Sequence, residues 1–304
     1  MMDVAIVVVR FVQFVGAAVL FGTPLFFLYG IERGTPARWL RPMAAAGAAL
    51  VAVAAVAGFG LQTAAMAGDP SAVFDRETLS AVATGSAFGA GILARLASAA
   101  VALFACLVLR GGSRLWLILS ALGAVAMASF AWTGHGAAEA GVAGHIHAAA
   151  DVAHLLAAGV WLGALAALAG LLTPGRAEPP GNAATLHRAL AGFAGVGTAA
   201  VAVILASGLV NSWFLVGPSH LLDIGASAYG WLLLIKIGAF VLMLGLAATN
   251  RFHLTPDLER GLASGNAAVA LAALRRSVLA ETLVGLLVLA LVSVLGTLPP
   301  VAAQ

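Results

Sequence analysis

The sequence predicts an all-α integral membrane protein with eight transmembrane helices and both termini periplasmic. Three observations carry this. Hydrophobic residues make up 62% of the chain and charged ones 9%, with a mean hydropathy of +1.06, far outside the range of soluble domains. Eight apolar stretches each approach the ~20 residues a spanning helix needs. The charges are concentrated in the connections between these stretches, and arginine favours every second connection.

The spans lie at roughly 4–29, 41–67, 86–109, 115–133, 148–172, 189–215, 229–249 and 277–298 by hydropathy. The first opens with MMDVAIVVV. It lacks a basic leader and a small-residue cleavage site before a polar domain, so it is expected to stay as a helix. GIERGTPAR leads to the second span, and Asp69-Pro70-Ser71 after that span predicts a short helix on the outer surface. RGGSR separates the third and fourth spans, TPGRAEPPGN the fifth and sixth, and NRFHLTPDLERG follows the seventh. A second surface helix is expected to lead into ALRRS on the inner face. The longest connections, about 20 to 27 residues, hold no folded domain. Residues 1–304 therefore read as one membrane domain.

Arg33, Arg38, Arg41, Arg110, Arg114, Arg176, Arg188, Arg251, Arg260, Arg275 and Arg276 fall in alternate connections, whereas the opposite ones hold only Arg76. That places the arginine-rich loops in the cytoplasm. The outer loops carry Asp3, Asp69, Asp75, Glu77, Glu139 and Asp223. The pI near 9.7 thus reports topology in a lipid bilayer, not nucleic-acid binding. A single cysteine, Cys106, excludes an internal disulfide framework or a cysteine-cluster metal site. The sequence has no Walker lysine motif and no HExxH motif, so neither direct ATP drive nor a zinc protease is expected, and the chain does not read as an enzyme.

The chain also resembles itself. A shift of 141 residues sets RFVQFVGAAVLFG (10–22) against DVAHLLAAGVWLG (151–163), and residues 88–110 against 229–251. Gly22 then meets Gly163, and Arg95 meets Lys236. We read a parallel repeat of four spans plus four, over 1–140 and 141–304, related by an axis along the membrane normal. Arg10 and Gln13 occupy the places of Asp151 and His154, so metal-ligand chemistry belongs to the second half alone.

An ionisable side chain inside a span costs several kcal/mol and is by default a functional hypothesis. Arg10, Arg95, Asp151, His154 and Lys236 share one depth, roughly 5 to 12 Å below the outer ends of their spans at 1.5 Å per residue. A polar chamber open to the outside would collect them; Glu281 lies apart, near the inner end of the last span, where snorkelling is an equal alternative. His147, Asp151 and His154 stand at i, i+4 and i+7, one helix face, with Trp161 two turns further. His135 ends the fourth span, about a dozen residues away along an outer loop, with His145 between. Imidazole suits copper, zinc, nickel and iron, and the spacing does not select one. Met66 and Met127, in the outer half, would favour Cu(I) if they were ligands, though methionine more often fills gaps in a core.

TGHGAAEAG (133–141), DVAHLLAAGVWLGAL (151–165), SGLVNSWFLVG (207–217), YGWLLLIKIGAF (229–240) and NRFHLTP (250–256) together resemble the bacterial copper-resistance protein D family of inner-membrane proteins. These motifs fall in order over about half the chain. The resemblance implies a multi-pass protein of the bacterial inner membrane that receives copper from a periplasmic CopC-type protein and passes it inward. Carried over by motif, it points to His135, Asp151, His154, Trp161, Gly163, Tyr229, Gly230 and Lys236. Ala164 stands where the family often has a second glycine.

The leading expectation is copper import, with His135 and His154 as ligands, Asp151 as ligand or orienter, and His145 and His147 as a capture antenna in water. Arg10, Arg95, Lys236, Trp161 and Asn211 would be supporting polar groups. Two alternatives stay open: an intramembrane haem protein moving electrons, and a scaffold that holds copper for a partner without transporting it.

Overall fold

A computed structural model of the chain describes residues 2–32, 38–134, 141–173, 181–220 and 223–303. Its helices are α1 (Met2–Tyr29), α2 (Leu40–Ala67), α3 (Arg76–Gly85), α4 (Ala87–Val108), α5 (Ser113–Ala128), α6 (Gly141–Leu171), α7 (Gly181–Leu215), α8 (Ala228–Thr249), α9 (Thr255–Ala263) and α10 (Ala268–Leu295). All but α3 belong to segments long and apolar enough to cross a membrane, eight among the described residues, with α8 and α9 in one continuous segment, Ala228–Ala263.

The expected helix after Asp69-Pro70-Ser71 is present as a 3-10 turn, Pro70–Val73, followed by α3. Asp69 accepts from the Ser71 amide and Asp75 from those of Glu77 and Thr78, each an N-terminal cap. Two boundaries differ from expectation. GVAGHIHAAAD contains no proline, and α6 begins at Gly141, so His145 and His147 are already helical. Ahead of ALRRS the expected surface helix stops short, because the Ala/Leu-rich stretch from Ala268 continues unbroken into the last span. The short helix there is α9, with Pro256 in its first turn, joined to α8 by a π turn at Asn250–Leu254.

In the first half α1 packs on α2, α2 on α4, α4 on α5 and α5 back on α1, closing a ring. In the second half α6 packs on α7 and α10, and α10 on α8, but α7 and α8 do not pack together along their length. The second ring is open on that side. The halves join chiefly along α1 and α6. There Gly22 lies against Gly159 and Gly163, and Thr23 Oγ1 donates to the Gly163 carbonyl at 3.2 Å. A Cβ on either Gly22 or Gly163 would collide with the opposite backbone, so close approach of the two helices requires glycine.

The outer surfaces of the bundle are apolar: Val53, Leu107 and Leu209 are 72, 80 and 74% exposed, which suits lipid and not water. Trp132, Trp213 and Trp231 are exposed where α5 and α7 end and α8 begins, marking an aromatic belt at the histidine-bearing end.

Candidate functional site

The stripe on α6 does not face water; it faces α7. His147 stacks on Phe214 with ring centroids 4.6 Å apart and planes 6° from parallel. Asn211 Nδ2 donates to Asp151 Oδ1 at 3.5 Å. His154 Nδ1 lies 3.1 Å from Ser207 Oγ. Residues 207, 211 and 214 have the same helical spacing as 147, 151 and 154, so two antiparallel helices meet side chain to side chain. Ser207 and Phe214 were not singled out beforehand, although SGLVNSWF carried the spacing.

This zipper determines which His154 nitrogen is available. Ser207 Oγ donates to the Val203 carbonyl at 2.5 Å, so its lone pairs accept from His154 Nδ1–H. The Ile204 backbone is a second hydrogen-bond partner of the ring. With the proton on Nδ1, Nε2 carries the lone pair that can coordinate a metal.

Between the halves lies a cavity of about 200 Å³, lined by Arg10, His147, Asp151, His154, Tyr229 and Lys236. It is the expected polar chamber with one member missing. Arg10 and Lys236 both face Asp151, and Lys236 also faces His154. Gly296 has no Cβ to collide with the Arg10 guanidinium. The missing member is Arg95, which is 1% exposed and engaged within the first half. Its Nε donates to Ser129 Oγ at 2.9 Å, Nη1 to Gln13 Oε1, and Nη2 to Thr133 Oγ1 at 3.2 Å. The guanidinium carbon sits 3.8 Å from the Phe130 ring centroid. Arg95 binds the first ring together, whereas Lys236, set against it by the self-comparison, lines the chamber.

The antenna expectation is corrected in one member: His145 is exposed, but His147 is only 2% exposed under Phe214. His135 lies outside the described residues. The segment that carries it leaves from Gly134, which lines the chamber and whose Cβ position would be 3.9 Å from Asp151 Oδ2. Among the described residues no three of His, Cys, Asp and Glu converge as a metal-ligand set. Of the methionines, Met66 is exposed, whereas Met127 is buried and lines the chamber.

Glu281 does not snorkel. It is 2% exposed and accepts from Trp161 Nε1 and Asn250 Nδ2, both at 2.8 Å. Trp161, which lines one cavity with His154, thus orients this carboxylate. His187 and His253 flank the arginine-bearing connections, away from this site, His187 3.7 Å from Glu259.

Fold and site together define a polytopic helical membrane protein in which histidine, carboxylate and lysine line one intramembrane cavity. The chain belongs to the copper resistance protein D family. Residues 1–145 match the family described as copper resistance protein D-like, N-terminal domain, and residues 187–295 match copper resistance protein D. Copper resistance protein D of Pseudomonas syringae pv. tomato is 38% identical over 305 residues, spanning 99% of this chain and 98% of that one. Copper transport protein CutJ of Bacillus subtilis (strain 168) is 34% identical over 151 residues, 49% of this chain and 25% of that protein. No solved structure matches the chain. The family is one of copper resistance and copper transport, not a known enzyme family.

Proposed function

We propose that the protein takes copper from a separate periplasmic CopC-type donor into the chamber and moves it across the inner membrane toward the cytoplasm. The observation that carries this is His154: its Nδ1 is held by α7, leaving Nε2 as the coordinating nitrogen inside a buried cavity. His135, which follows the chamber-lining Gly134 in the sequence, is the second proposed ligand. Asp151 acts as orienter, since Asn211, Arg10 and Lys236 already engage its charge. His147 braces α6 on α7, and exposed His145 is left as the capture residue.

Arg10 and Lys236 outnumber Asp151, and this positive surplus opposes a lodged cation. A weak, transient copper site follows, which suits passage better than storage. Haem is not supported, because the chamber's two described histidines come from one helix and cannot approach a porphyrin from opposite faces. The parallel repeat belongs to the same reading. Its support is that Gly22 and Gly163, paired by the self-comparison, lie against each other, as equivalent residues on a two-fold axis must.

The test is X-ray absorption and metal analysis on purified protein, alongside copper accumulation in reconstituted vesicles. His154→Ala is expected to lose the imidazole signature and to lower both bound and accumulated copper. Unchanged binding and accumulation would refute the site. Binding without accumulation in the wild type would instead favour the scaffold.

A further inference from the structure

The chamber does not end at His154. Together with Ala158, Leu162 and Lys236, His154 also lines a second cavity of about 260 Å³ that continues to Trp161 and Met243. Trp161 in turn lines a third cavity of about 490 Å³, which reaches Asn250, Arg251 and Glu281. The three follow α6 in series through the half whose ring is open. At 1.5 Å per residue, Trp161 lies about 10 Å below His154 along that helix. Cys106, the one inner candidate the sequence offers, lines none of these three cavities.

At the floor of the series, both oxygens of the Glu281 carboxylate accept from neutral donors, Trp161 and Asn250. Among the described residues no lysine or arginine pairs with Glu281. Arg251 lines the same cavity, yet it donates to Thr198 Oγ1 at 2.6 Å and to the Ala194 carbonyl at 3.3 Å. Asn250 is 7% exposed, and its amide oxygen is buried without a hydrogen-bond partner. That oxygen shares an amide with the nitrogen that binds Glu281. Asn250 opens the π turn after α8, a distortion of the kind that re-aims a side chain at functional positions. A carboxylate that no cation pairs with among the described residues and an amide oxygen with spare lone pairs, both on residues that line a cavity whose cation Arg251 is held on α7, make an incomplete cation site.

We infer that Glu281 and Asn250 form an inner cation station that holds copper through oxygen before its release. The inference rests on the transport reading. Oxygen ligands hold copper more weakly than imidazole does, so an ion passing from His154 to Glu281 meets ligands that can let it go. Charge runs the same way: the outer chamber has two cations about one carboxylate, the inner site a carboxylate that no cation pairs with among the described residues.

The test uses the full chain, purified and reconstituted. Glu281→Gln preserves shape and an acceptor for Trp161 while removing the charge. It is expected to keep the His154-dependent copper signature of the wild type but to accumulate copper at least ten-fold more slowly. Accumulation at the wild-type rate would overturn the inner station. Independently of transport, Mn²⁺, an oxygen-preferring probe, should bind wild type and His154→Ala alike by paramagnetic resonance, and Glu281→Gln at least ten-fold more weakly. Equal Mn²⁺ binding in Glu281→Gln overturns the inference whatever the vesicles show; a wild type that accumulates no copper but binds Mn²⁺ at Glu281 removes only the transport reading. Should Glu281→Gln fail to fold, Asn250→Ala carries the same Mn²⁺ comparison.

Discussion

Replacing Gly22 by alanine should break the contact that joins the two halves. A Cβ there would collide first with the Gly159 carbonyl oxygen and would sit 2.9 Å from Gly163 Cα and 3.0 Å from the Gly159 carbonyl carbon, where ordinary contacts begin at 3.4 Å. All three obstacles are backbone, so no side chain can turn away, and α1 must part from α6 by about an ångström or more. Overpacking of this kind costs ~1–3 kcal/mol. Separation also stretches the hydrogen bond from Thr23 to the Gly163 carbonyl, worth ~0.5–1.5 kcal/mol. A loss of about 2–4 kcal/mol follows if the two effects add. Gly245→Ala in α8 is the control, since nothing lies within 4 Å of its Cβ position. That change should leave stability unaltered or raise it by up to ~1 kcal/mol, as alanine does in a helix. Reversible unfolding in mixed detergent micelles compares the two. If Gly22→Ala loses no more than Gly245→Ala, the glycine contact does not hold the halves together.

Two further outcomes are expected. Ser207→Ala removes one acceptor of His154 Nδ1–H while the Ile204 backbone remains, so copper affinity should fall by about ten-fold, the lower end for a group orienting a ligand, and Ser207→Thr should restore it in a chelator competition. At the surface, the Thr78 hydroxyl, with the Thr78 and Glu77 amides, holds the Asp75 carboxyl below the usual carboxylate range. A folded value below the unfolded one means the cap on α3 is fully present at neutral pH and is lost as pH falls through the lower value. Hydrogen exchange in 76–85 should accelerate there, and Asp75→Asn, a neutral cap, should abolish the dependence.

The eight spans were legible because bilayer thickness turns hydropathy into a test of length, which local composition passes or fails. The α6 stripe was legible because 147, 151 and 154 share a face at helical spacing. Its partner face was not, since pairing 154 with 207 depends on how α6 and α7 are rotated against each other. Arg95 was misplaced for a related reason: depth puts it level with the chamber, but Gln13, Ser129 and Thr133 on two neighbouring helices draw it into the first ring. Glu281 was left open because its partners are 120 and 31 residues distant, and no local pattern joins them.

The sequence by itself determined that this chain has eight segments long and apolar enough to span a membrane, that its arginines segregate to one set of connections, and that His147, Asp151 and His154 share one helix face. Each follows from short-range chemistry: apolar length, charge beside a bilayer, side-chain types along one helix. Only the tertiary structure decided that His154 is held by Ser207, that Gly22 and Gly163 close the seam between halves, and that cavities lead from the chamber to Glu281 and Asn250. Helix rotation and packing distance determine those contacts, and both depend on every neighbouring helix at once.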